Sequence, residues 1–377
     1  MTWTLFIEPV DVLIFRDGKP FQAGEDHRAR TLFPPTPFTL QGAIRAKVLF
    51  SSRVSPSDYA KKAPSAQTLI QQIGDQDSYG QLNLSGPFVS RLNCDGSITR
   101  FFPAPADLVR IGDRFGYAVP LKKCLWQKSN FISNAPANLR PLWIPSEKPV
   151  SEVHGWLDEE QFNQYLQQKD DLQVTDENEL TVREHRFGIA LAKDRKTVAE
   201  GMLYQMEFLR LMPNIGFLLQ VSGIDAFNPS EGFLQLGGEA RPAHYKVLPT
   251  LLPPLPRPQS PTHRLKIILL TPAWFDGGWQ PQNGNWGWFF NTPNVRLVAA
   301  AVRRPLLIGG AYVDDQKRQQ SLQKPIRSFV PPGSVYFFES DDPLTMPDKP
   351  FTQTPPSQGD FGQIGFGCIA VGTWDNP

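Results

Sequence analysis

Five histidines, His27, His154, His185, His244 and His263, are the side chains best suited to proton transfer near neutral pH. None falls in an HExxH or comparable ligand spacing. His27 stands apart through its neighbours, Gly24-Glu25-Asp26-His27-Arg28-Ala29-Arg30. A histidine among arginines has the groups for general acid–base work on an RNA phosphodiester, with the arginines stabilising developing charge. The same histidine can equally donate to a phosphate or pack, and a lone histidine is poor evidence for a reaction, so no catalytic residue is assigned. The pairs Asp314-Asp315 and Asp341-Asp342 suggest a metal only at first sight, because neighbours on a strand point to opposite faces. No GxxxxGK[ST] or GxGxxG motif is present. Gly237-Gly238, Gly277-Gly278 and Gly309-Gly310 are not followed by paired aspartates. Neither a metal nor a cofactor is expected.

A second candidate lies near the C-terminal end, in Ile364-Gly365-Phe366-Gly367-Cys368-Ile369-Ala370-Val371-Gly372. Two glycines flank an aromatic residue directly before an apolar strand. Glycine permits positive φ and close backbone approach, and successive N–H groups in such a loop can cradle an anion. A tight bulge that only turns the chain fits the same letters.

The elements that must position these groups alternate between strands and helices. Strands are expected at 3–8 and 10–15, broken at Pro9, and a turn follows at Asp17-Gly18-Lys19-Pro20. Thr36-Pro37 opens a helix running to about Phe50, with Leu40, Ile44, Val48 and Leu49 at helical spacing. Further strands are expected at 86–92, 98–102, 186–191, 201–212 and 215–222, and a second helix at 156–168. After a Gly/Pro-rich passage at 228–262, ending in the proline-dense Pro249 to Pro261, come strands at 264–271, 295–303, 333–339 and 366–373. The expected organisation is α+β, two ferredoxin-like (RRM-like) domains with antiparallel sheets and loop or hairpin insertions. The domains are placed at 1–228 and 229–377.

The 377 residues carry a formal net charge of +1, which argues against a general nucleic-acid coat and leaves local patches. From His27 to Pro56 there is no acid, while Arg28, Arg30, Arg45, Lys47 and Arg53 are cationic. A second basic zone, Val109 to Ser146, holds Arg110, Arg114, Lys122, Lys123, Lys128 and Arg140 against Asp113. Glu152 to Glu184 reverses the sign, with ten acids against Lys169 and Arg183. Such zoning predicts separate faces for RNA and protein. Cys94, Cys124 and Cys368 form no CxxC pair or disulfide framework, which fits a reducing cytosol. The start, with Glu8 and Asp11 and no basic region, does not read as a signal peptide, and no apolar run approaches a membrane span. A cytoplasmic chain without membrane contact is expected.

Several separated stretches resemble a known family when taken in order. They are Asp11-Val12-Leu13-Ile14-Phe15-Arg16-Asp17-Gly18-Lys19-Pro20-Phe21, Pro34-Pro35-Thr36-Pro37 running into Gly42-Ala43-Ile44-Arg45, and Phe102-Pro103-Ala104-Pro105-Ala106-Asp107. Then follow Glu184-His185-Arg186-Phe187-Gly188-Ile189, Glu200-Gly201-Met202-Leu203-Tyr204, Leu236-Gly237-Gly238-Glu239 and the terminal glycine loop. The set is similar to the third subunit of the type III-B CRISPR effector (Cmr) complex, of the RAMP superfamily. The resemblance spans nearly the whole chain, and its FRDGKPF and LGGE elements are the specific ones.

The resemblance implies two packed ferredoxin-like folds. It also implies a non-catalytic role at the 5′ repeat-derived tag of the guide RNA, beside the large polymerase-like Cmr subunit and the backbone Cmr subunit. On this sequence the expected RNA-binding residues are Arg16, Lys19, His27, Arg28, Arg30, Thr36, Arg45, Gly365, Phe366 and Gly367. The cations would meet phosphates, and Thr36 would add a helix N-terminus. Phe366 would stack on a base or serve as an apolar anchor under its loop. Arg45, farther along the helix, would meet another phosphate or a core acid. Glu239 is read as a partner for Arg241. Two other functions remain open here: a metal-independent endoribonuclease acting on precursor guide RNA, and a purely structural protein scaffold.

Overall fold

The computed structural model describes residues 1–18, 28–128, 136, 138–191, 198–225, 227, 229–254, 257–258, 262–290, 292, 294–313, 321–346, 348–356 and 358–375. Within them the fold is α+β with sheets that are almost wholly antiparallel. The larger sheet runs, in spatial order, Trp156–Asp158, Ile98–Pro103, Asn83–Leu92, Ile215–Ser222, Thr2–Pro9, Pro242–Leu248, Glu231–Gln235. The smaller runs Val295–Ala301, Val335–Leu344, Thr262–Leu269, Ile369–Thr373. The middle of the large sheet, from Asn83–Leu92 to Pro242–Leu248, and the whole of the small sheet share one arrangement. In each, the strand that comes first in the chain lies between the third and the fourth, and the second lies outside the third.

This topology corrects the division at 228/229. Glu231–Gln235 pairs with Pro242–Leu248, which pairs in turn with Thr2–Pro9, so both strands complete the first sheet. The chain changes sheet between Leu248 and Thr262, across the proline-dense stretch. The strand expected at 10–15 is also absent as a regular element. Leu13 bridges Leu209 and Arg16 bridges Thr31, so this segment crosses from one element to another without joining a sheet. The second helix is shorter than its apolar pattern: Trp156–Asp158 is a strand, and Asp158 caps the helix Glu159–Leu166 by accepting from the Gln161 N–H.

The helix Pro37–Ser51 begins where the Thr36-Pro37 signal puts it. Leu40, Ala43 and Ile44 enter a core shared with Leu5, Ile7, Phe217 and Leu219 of the large sheet. That core also takes Ile308, Phe329, Phe361, Ile364 and Phe366 from the second half of the chain. The halves therefore pack through apolar surface, and a fully buried ion pair joins them as well. Lys266 Nζ lies 2.8 Å from Asp107 Oδ2, and the Tyr165 hydroxyl donates to Asp107 Oδ1 at 2.6 Å. A further hairpin, Leu306–Val313 with Ser321–Phe329, stands outside both main sheets.

Candidate nucleic-acid interface

Residues 14–18 lie at a crossroads. The Leu32 N–H donates to Phe15 O at 2.8 Å, the Phe15 N–H to Thr31 Oγ1 at 2.8 Å, and the Gly18 N–H to Leu307 O at 2.9 Å. From the other side the Gly238 N–H donates to Ile14 O at 2.9 Å. Gly237 sits at φ +76°, and a Cβ there would fall 2.6 Å from Ile14 O. The LGGE glycines thus let one backbone lie on another. Glu239 pairs with Arg241 at 2.7 Å, as expected.

Two concavities flank this crossing and share Leu32. One, about 810 Å³, is lined by Phe15, Arg16, Thr36, Phe38 and Arg45 with Gly237 and Gly309. The other, about 700 Å³, is lined by Asp17, Arg30, Arg183, His185, Glu207 and Arg304, among others. Arg16, Thr36 and Arg45 therefore come together, and Arg30 lies in the adjoining groove. Arg45 is already engaged: its Nε and Nη2 donate to Ile73 O and Ser78 O, each at 3.0 Å, and burial lowers its pKa. Thr36 is buried and extended at the helix start, but its hydroxyl meets Thr39 Oγ1 at 3.3 Å and caps no N–H.

In the 700 Å³ groove Arg183 donates to Glu207 at 2.6 Å and to Glu177 at 2.8 Å. Burial opposes its charge, but these carboxylates raise its pKa overall. Arg30 and Arg304 are exposed, and among the described residues neither makes an ion pair with an acid. Among the described residues these two guanidinium groups are available as anion contacts of the groove. Arg304 and His185 were not among the expected site residues. His185 belongs to a quoted motif, but no sequence pattern places it in one groove with Arg304.

A sequence profile places the architecture in a family. The CRISPR-associated protein family Cas_Cmr3 matches residues 5–374. The chain belongs to the Cas_Cmr3 family. No curated protein matches it. Among solved structures, it is similar to a chain in the Type III-B Cmr-beta complex bound to cognate target RNA and AMPPnP. The TM-score is 0.46 at 16% identity, covering 89% of this chain and 86% of that one. It also resembles a chain of a Csm1–Csm4 cassette in complex with pppApA, with a TM-score of 0.30 at 12% identity, covering 99% and 95%. At such distances these likenesses carry no argument, and membership of Cas_Cmr3 rests on the sequence match.

The terminal glycine loop of this Cas_Cmr3 chain is not at the groove surface. Phe366 is fully buried, with ring centroids 4.7 Å from Phe38, 5.0 Å from Phe329 and 5.4 Å from Phe361. Its ring is an apolar anchor, and the stacking role expected for it is corrected. Gly365 and Gly367 have the expected positive φ, +101° and +69°, but the backbone they approach is the chain's own. A Cβ would fall 2.3 Å from Gly86 O at one and 2.8 Å from the Phe351 carbonyl carbon at the other. Both glycines are buried, so contact with a sugar-phosphate chain is corrected with the stacking.

Lys19 and His27 lie outside the described residues, and of Arg28 only the backbone, parallel to Gln205, is described. In the second basic zone Arg140 is consumed by Glu339 at 2.8 Å, and Lys122 and Lys123 are exposed. The acidic stretch is partly neutralised from within, by Arg100 on Glu159, Arg183 on Glu177 and Arg210 on Glu184. Asp341 binds Arg296 through both oxygens, at 2.9 and 2.8 Å, and Asp342 accepts from Asn294 at 3.0 Å. Among the described residues no helix is long and apolar enough to cross a membrane.

Proposed function

We propose that this chain is a non-catalytic, RNA-binding subunit of a type III-B CRISPR effector, holding the 5′ tag of the guide RNA. Family membership supports the assembly, with the large polymerase-like subunit and the backbone subunit as neighbours. The observation that carries RNA binding is the groove lined by both Arg30 and Arg304, without acid partners among the described residues, beside Arg16–Asp17. Phosphates are the chemistry two exposed guanidinium groups recognise best. In this reading residues 16–18, 29–32 and 304–307 grip the sugar-phosphate chain, and base contacts come from neighbouring walls. The strand arrangement shared by the two main sheets supports a pair of ferredoxin-like units, with the change of unit in the proline-dense stretch. The non-catalytic reading rests on the sequence, where no histidine has a second acid–base group at ligand or catalytic spacing.

The test is tag-RNA affinity against salt for the chain assembled with its large neighbour. Removing one cation from a phosphate of a single strand should lower the log–log slope by roughly 0.7. The double variant Arg30→Ala with Arg304→Ala is expected to bind more weakly and to lower the slope by about 1.4. A folded double variant with unchanged affinity and slope places the RNA elsewhere, with Lys122 and Lys123 the next candidates. Cleavage of precursor RNA that disappears in His27→Ala would replace the non-catalytic reading with the nuclease one.

A further inference from the structure

The motif Glu184-His185-Arg186-Phe187 lies on the strand Thr181–Leu191, paired antiparallel with Val198–Leu211. Alternation divides its side chains between two faces. Arg186 falls on the face carrying Phe208, which is buried with Val12 and Ile14, and its guanidinium lies 4.9 Å from the Phe208 ring. Arg183, His185 and Phe187 fall on the other face. Opposite them are Leu209, Glu207 and Gln205. Of these six, Arg183, His185, Gln205 and Glu207 line the 700 Å³ groove. Phe187 is the next position outward, beyond His185 and opposite Gln205, and it is 70% exposed. Among the described residues, a large apolar ring so exposed at the lip of a cationic groove is little covered by the chain.

We infer that Phe187 is a base-stacking platform. One nucleobase of the RNA lies on its ring while the adjoining phosphates meet Arg30 and Arg304. This deepens the reading proposed above and rests on it. Aromatic faces beside a cationic track are the general means of holding a single strand, because every base offers a π-face and every nucleotide a phosphate. The charge favours this occupant over an apolar protein surface. The groove's lining carries Arg30, Arg183 and Arg304 against the acids Asp17 and Glu207, and Glu207 is already bound to Arg183 and to the Thr31 N–H at 3.2 Å, so the balance favours an anion. His185, exposed between the ring and the arginines along the same strand face, adds a hydrogen-bond donor toward the same backbone.

The experiment measures tag-RNA binding by the chain assembled with its neighbours, for wild type, Phe187→Ala, Phe187→Leu and Phe187→Trp. Each is tested against RNAs carrying one abasic nucleotide at successive positions. Stacking predicts that Phe187→Ala binds on the order of ten-fold more weakly, that Trp restores binding and that Leu does not. The salt slope should stay at the wild-type value, since every cation facing a phosphate is kept. At one abasic position, wild type and Phe187→Ala should bind alike. Full rescue by Leu, or a loss of neighbour association with RNA affinity intact, overturns the inference in favour of a protein contact. If Arg30→Ala with Arg304→Ala weakens binding and Phe187→Ala does not, the platform fails alone. If neither affects binding, the groove reading fails with it.

Discussion

The seam between the two halves and the groove beside residues 16–18 use the same kinds of side chain to opposite ends. At the seam Lys266 and Asp107 are 1% and 0% exposed, Tyr165 is fully buried, and Lys266 Nζ also sits 4.1 Å from the Tyr165 ring centre. Burial and then the Asp107 charge raise the tyrosine's pKa, so it stays a hydrogen-bond donor. In the groove Arg30 and Arg304 are exposed and without acid partners among the described residues. A buried charge must be satisfied internally, because desolvation penalises any that is not. An exposed one can be held for a ligand. The difference teaches that the buried cation and glycines at the seam specify how the halves meet, whereas the exposed cations at the groove are available for recognition.

Breaking the seam should cost the most. Phe366→Ala removes a ring from a packed aromatic cluster and should destabilise by about 3–5 kcal/mol in denaturant titration. Binding of tag RNA, corrected for the folded fraction, should not change. Reduced affinity at constant folded fraction would return this ring to the RNA site. Asp107→Ala strands Lys266 without its partner, and a loss of about 3–5 kcal/mol is expected. A double change of Asp107→Leu with Lys266→Met should recover much of that loss, and failure to do so would mean that the pair does more than neutralise itself. Gly365→Ala should cost at least about 1–3 kcal/mol, because its φ is disfavoured for a side chain and its Cβ would meet the Gly86 carbonyl. Arg30→Ala with Arg304→Ala should shift stability by only about 0.5 kcal/mol or less, as surface changes do, and yet weaken RNA binding. A large stability loss there would erase the contrast.

How much of this was legible depended on the range over which each signal acts. The helix at Pro37–Ser51 followed from local letters, Thr36-Pro37 and the apolar spacing of Leu40 and Ile44. The strands at 83–92, 215–222 and 295–301 followed from apolar runs. The strands Glu231–Gln235 and Pro242–Leu248 did not, because glycine and proline mask their pattern and their pairing partner is at the chain's start. Lys266 reads as a surface cation within an apolar strand until Asp107, 159 residues away, is brought to it. The burial of Phe366 likewise depends on Phe38 and Phe329, which no local motif connects to it. At the site, Arg30 was visible in an acid-free run. Arg304 was not, since its place beside Arg30 is made by the Gly18–Leu307 contact between distant segments.

Photo-cross-linking of tag RNA in the assembled complex, with the modified peptides mapped, tests the central claim most directly. The account predicts adducts in residues 16–18, 28–32, 183–187 and 304–307, and none in 364–367 or in the 152–179 part of the acidic stretch Glu152 to Glu184. Efficient adducts from 152–179 or the buried glycine loop, with none from the groove, would contradict it.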